Sequence, residues 1–173
     1  MKENTQIRSL LNVLEDYLVQ EFRLLQSLIV ITNEERKFLP GGDPDELMKL
    51  VERKENILDQ MSLLEEKRRT VIEELGRELG VTPGTSSLGE ILPWIEVATA
   101  GRLRRLSDGI AMLVGQARDL NYGNRALAVT AMDWLEATRA FIFGFYQNQA
   151  TYSPPGPTPS TEQIPAWGVE HKA

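Results

Sequence analysis

From Leu103 to Phe145 the chain carries a seam of side chains in alternating steps of three and four. Its members are Leu103, Leu106, Ile110, Leu113, Ala117, Leu120, Asn124, Leu127, Ala131, Trp134, Thr138, Phe141 and Phe145. No step is skipped, and only Asn124 and Thr138 are polar. A seam recurring every 3.5 residues keeps one face of a helix turned toward partner helices. Asn121-Tyr122-Gly123-Asn124 has the residues of a turn. A turn there would reset the phase, and the phase is kept. The spacing therefore predicts one helix of about fifty residues, roughly 75 Å long at ~1.5 Å per residue. Such a rod can bury its seam only against other helices.

The same stepping precedes it. Ile7, Leu11, Leu14, Leu18, Leu25, Leu28 and Leu39 form a first stripe, with Glu21, Thr32 and Glu35 in the remaining slots. Leu10, Tyr17, Leu24 and Ile31 widen it toward two neighbours. A first helix is expected over about 5–38, ended by Pro40-Gly41-Gly42. Asp43 and Glu46 then supply a capping box, with Pro44 at the first helical position. They open a second helix over about 44–79, and so short a connection folds it back antiparallel. Its expected stripe is Leu47, Val51, Ile57, Leu58, Met61, Leu64, Val71, Ile72, Leu75 and Leu79. Lys54 and Arg68 lie on or beside that stripe and are expected to hold their heads in water.

Gly80, Val81 and Pro83 make a helix stop. Ser87 to Glu90 can cap a short helix over about 88–92, interrupted by Pro93, with Trp94 and Ile95 folding onto the bundle end. Arg102, Arg104 and Arg105 open the long helix, over about 100–149, and read as a solvated face among acids. The expected fold is all-α: a long antiparallel helical hairpin plus a third, longer helix in a coiled-coil-like three-helix bundle. That bundle takes residues 1–149. Residues 150–173 are rich in Pro, Gly, Ser and Thr and are expected to form a disordered, flexible tail.

Several function classes fall away. The one histidine, His171, lies in that tail, and there is no cysteine, so nucleophile–histidine pairs and thiolate metal sites have no material. The chain reads as no enzyme, with no cofactor and no metal. A net charge of -6 argues against nucleic acid as a partner. The longest apolar run, Leu24 to Ile31, falls far short of the ~20 residues of a membrane span. Lys2, Glu3 and Arg8 leave no room for an apolar leader. A soluble, cytoplasmic protein is the expectation, with no direct membrane insertion.

What remains is binding. The third helix is longer than the hairpin, and its last turns, about 14 residues or roughly 20 Å, are expected to outrun it. Those turns hold Phe141, Ile142, Phe143, Phe145 and Tyr146, and no charged residue stands between Arg139 and Glu162. Uncovered rings of this kind make a surface for an amphipathic partner helix. Asn124 on the seam is expected to fix register, as polar seam residues do.

The order of these pieces resembles a known family. Leu10-Leu11 with Leu14-Glu15 and Glu21 is followed by Glu35-Arg36, Lys54-Glu55-x-Ile57-Leu58, Leu64-Glu65-x-x-Arg68-Arg69, Asn121-x-x-Asn124-x-x-Leu127 and Tyr152-Ser-Pro-Pro-Gly156. In that sequence the chain is similar to the FlgN-type flagellar export chaperones, over roughly residues 7–156. The resemblance implies a chaperone that binds the C-terminal helices of hook-associated (hook–filament junction) proteins. It implies that the chaperone prevents their premature assembly and delivers them to the type III export gate. It puts client binding on Trp134, Phe141, Ile142, Phe145 and Tyr146. It implies docking of a tyrosine at the gate's membrane subunit, with Tyr152 the better match and Tyr146 the alternative. Asn121 and Asn124 keep the register role read from the seam. The Pro-rich stretch after Gly156 and the Trp94 linker depart from the family pattern. The alternative is a coiled-coil adaptor whose seams satisfy one another in a homo-oligomer.

Overall fold

A computed structural model describes residues 2–81 and 87–150, with side chains described over 5–81 and 87–144. Four α-helices and one 3-10 turn account for these residues: α1 (Lys2–Phe38), α2 (Pro44–Glu78), α3 (Leu88–Ile91), the turn Leu92–Trp94, and α4 (Val97–Ala150). The protein is all-α, and there is no strand among the described residues. The expected flexible tail lies outside them.

Local chemistry sets the helix ends. Asp43 Oδ1 accepts from the Asp45 amide at 2.9 Å, with Pro44 next in line. The reciprocal half of the expected box is not made, because the Glu46 carboxylate turns to Lys49 Nζ at 2.7 Å. Between α1 and α2, Gly41 has φ 109°. A Cβ on Gly42 would sit 2.6 Å from the Phe38 backbone, so the turn closes only with glycine there. The end of α2 is a Schellman motif: Val81 N–H donates to Gly76 O and Gly80 N–H to Arg77 O, with Gly80 at φ 69°. At α3 the Ser87 amide donates to the Glu90 carboxylate at 3.2 Å.

Side-chain pairs fix directions. Gln6 meets Glu78 at the start of α1, Glu21 meets Arg68 in the middle, and Glu35 meets Lys54 near its end. The hairpin α1–α2 is therefore antiparallel. Glu15 meets Arg102 and Thr32 meets Asn124, so α4 runs parallel to α1 and antiparallel to α2. Between those ties a Cβ on Gly109 would come within 3.0 Å of the Phe22 ring, so glycine is what lets α1 approach α4 there.

The core is one cluster. Leu14, Leu18, Leu25 and Leu28 of α1 pack with Val71, Ile72 and Leu75 of α2 and with Leu103 and Ile110 of α4. Leu88, Ile91 and Leu92 close the bundle from α3 and the following turn. Burying each such side chain contributes about 1.5–3 kcal/mol, which outweighs any of the surface ion pairs. Ile95 packs against this cluster. Trp94, expected beside it, is instead 59 % exposed, because the turn spends its inward position on Leu92.

The stripe on α2 also differs from expectation. Val51 and Leu58 are exposed, and Leu50 is buried. The buried line runs Leu50, Lys54, Ile57, Met61, Leu64, Arg68, Val71, Leu75, an unbroken three-four series once its two cations are admitted. Lys54 and Arg68 do not reach for water. Their side chains are 16 % and 26 % exposed, and each meets a carboxylate from α1.

By compactness the chain divides into two units, Met1–Trp134 and Leu135–Ala173, and the first holds the whole core.

Candidate functional site

The polar residues of the two hairpin stripes face one another. Glu35 Oε2 accepts from Lys54 Nζ and from Asn124 Nδ2, each at 2.9 Å. Asn124 Nδ2 also donates to the Thr32 carbonyl at 2.7 Å, and Lys54 Nζ to Asn121 Oδ1 at 2.8 Å. Thr32 returns its own hydroxyl to the Leu28 carbonyl. One carboxylate, one ammonium and two amides thus join all three long helices. Asn124 is only 3 % exposed, and its Oδ1 is buried without a partner. The Asn-x-x-Asn read as register is therefore the α4 side of this network. Sequence reading put Glu35 in a slot of the first stripe but gave it no partner.

A second layer lies four turns away. Arg68 Nε and Glu21 Oε2 are 3.4 Å apart, within ion-pairing distance but not aligned for a hydrogen bond. Burial lifts the Glu21 carboxyl above its usual 4.5; Arg68 pulls it back and Glu65 adds to the rise. Neither layer is arranged for catalysis, since each charge is held by structural partners. Among the described residues no group of three or more His, Cys, Asp or Glu could hold a metal ion.

Past Ala131 the seam on α4 changes character. Leu103 and Ile110 are buried, Leu106, Leu113, Ala117, Leu120, Leu127 and Ala131 are half-buried, and Trp134 is 70 % exposed. In the second unit, described by itself, Phe141 is 74 % exposed, and Leu135, Ile142 and Phe143 are exposed as well. Arg139 lies over the Phe143 ring, its guanidinium carbon 5.5 Å from the centroid. Of the residues expected to bind a client, Trp134, Phe141 and Ile142 are thus at the surface. The Phe145 and Tyr146 side chains and Tyr152 lie outside the described residues. Phe143, already among the rings expected to be uncovered, is exposed too, and Leu135 and Arg139 join the exposed set. The signal for Arg139 was its place as the last charge before a long uncharged stretch.

A family model described as "FlgN protein" matches residues 1–160. The chain belongs to the FlgN family. It is thereby a flagellar export chaperone in the general sense, a binding protein of flagellum biogenesis. No curated protein and no solved structure matches it. In this FlgN-family chain no described helix is long and apolar enough to cross a membrane.

Proposed function

We propose that this chain is a cytoplasmic chaperone for the C-terminal helices of flagellar hook-associated proteins. It covers their apolar faces against premature assembly and delivers them to the type III export gate. Family membership supports the chaperone role, and the exposure of Trp134, Phe141 and Ile142 on α4 supports the place of binding. Apolar side chains this open on a helix are a surface to be covered. Phe145 and Tyr146 extend that client surface, Tyr152 docks at the gate's membrane subunit, and Asn121 and Asn124 hold α4 in register. Release needs only a competing partner with more affinity for the same face.

The test is capture of a hook-associated protein's C-terminal peptide by the full chain and by a Phe141→Ala, Ile142→Ala double variant. Light scattering reads the stoichiometry. The expected result is a defined complex for the parent chain, and loss of more than about tenfold in affinity for the variant, on the scale of two truncated anchors. A tight homo-oligomer indifferent to the peptide would support the adaptor reading instead.

A further inference from the structure

We infer that in the free protein the apolar face of the second unit is covered by the same face of a second copy, laid antiparallel, and that a client helix enters by displacing that copy. The displacement rests on the client-binding reading above; the pairing does not. Here the seam passes through Thr138 and Phe141, with Leu135 and Ile142 on one flank and Ala137 and Gly144 on the other. None of the six is charged. Glu136 stands on the opposite side of the helix, and Arg139, over the Phe143 ring, lies beyond the Ile142 flank. The face itself is neutral, so charge does not select what covers it. Shape does.

In a two-fold pair, a residue that meets some position of the partner is met in turn by its own counterpart. The antiparallel register that sets Thr138 against the partner's Phe141 gives each layer one small and one large side chain, as close packing requires. The same register sets Leu135 beside the partner's Ile142 and Ala137 beside the partner's Gly144. Parallel pairing would stack Phe141 on its own copy and Thr138 on its own, a crowded layer next to an underfilled one. Gly144 gives a second reason. Among the described residues a Cβ there would meet nothing within 4 Å, so the chain's own packing makes no demand for glycine, which weakens a helix. Beside a second backbone it allows close approach. Area sets the strength. Phe141 is 74 %, Leu135 60 % and Ile142 47 % exposed. On the scale of roughly 150–250 Å² for a buried aromatic, two such faces cover on the order of 1,000 Å² together. That is the lower edge of a specific interface, suited to a pair that forms at high concentration and parts readily.

The experiment is sedimentation equilibrium of the full chain from about 5 to about 500 µM, with and without a hook-associated protein's C-terminal peptide. A monomer–dimer equilibrium with Kd on the order of 10–100 µM is expected. Thr138→Phe alone puts two rings in each layer, and Phe141→Thr alone puts none. Each should weaken the pair by about tenfold or more. Thr138→Phe combined with Phe141→Thr restores one ring per layer and should return Kd to within about threefold of the parent. The peptide is expected to split the dimer into complexes that hold one copy of the chain. A chain still monomeric at about 500 µM, a dimer indifferent to both single variants, or a double variant no better than the singles overturns the inference and leaves the client-binding reading standing. A peptide that binds the dimer without splitting it overturns the inference too. A dimer that follows the variants as expected but binds no peptide upholds the pairing and sinks the client-binding reading, and the displacement with it. Circular dichroism of every variant checks that α4 is still helical.

Discussion

Glu21 and Arg68 show what a charged pair inside a seam does. Both are mostly covered, and their geometry misses a hydrogen bond, so removal of one partner strands the other. Glu21→Leu alone is expected to cost about 1–3 kcal/mol in denaturant unfolding, whereas Glu21→Leu with Arg68→Leu is expected to be neutral or stabilising. The pH dependence has a fixed sign. Because burial raises the Glu21 pKa above 4.5 in the folded state, the folded chain holds this proton more tightly than the unfolded chain. The contribution is present below 4.5 and is lost as pH rises through the folded value. Stability of the parent relative to Glu21→Gln should therefore decline from acid toward neutral pH in urea titrations. This layer was legible in part. Glu21 and Glu35 stood in seam slots of the first helix, and Lys54 and Arg68 stood on the second. The paired residue numbers, 21 with 68 and 35 with 54, share one sum, as antiparallel partners must. What misled was the habit of sending lone cations to water, which ignores a carboxylate waiting at the matching height.

Among the elements, α4 carries two kinds of side chain on one seam. Leu103 is fully buried, and Leu103→Ala is expected to cost about 2–5 kcal/mol and to lower the melting temperature plainly. Phe141 is mostly exposed, and Phe141→Ala should move stability by less than about 0.5 kcal/mol in the same calorimetric comparison. The long helix itself could be read from its phase, including the passage through Asn121 to Asn124. Where its seam stops being covered is not in the phase, because periodicity reports which side faces inward and not how far the neighbours extend. The expected overhang came from comparing helix lengths instead. On α2 the expected line strayed to Val51 and Leu58 for the same kind of reason. Apolar residues were counted first, and the true line passes through two charges.

For the molecule as a whole, every core residue lies between Leu14 and Ile110, inside the first unit. A chain ending at Trp134 is therefore expected to unfold cooperatively, with stability within about 0.5 kcal/mol of the parent, while losing capture of the client peptide. Chemical denaturation followed by circular dichroism, with anisotropy for binding, measures both. The five residues from Leu39 to Asp43 that join α1 to α2 have a further effect, on the order of events. Contacts between α1 and α2 close a short loop and can form early, whereas Leu103 and Ile110 emerge from the ribosome only after the hairpin is complete. At translation speeds of ~5–20 residues per second, the greasy flank that they will later seal stands open for on the order of seconds. During its own synthesis this sheltering protein passes through an interval in which it is the one in need of shelter.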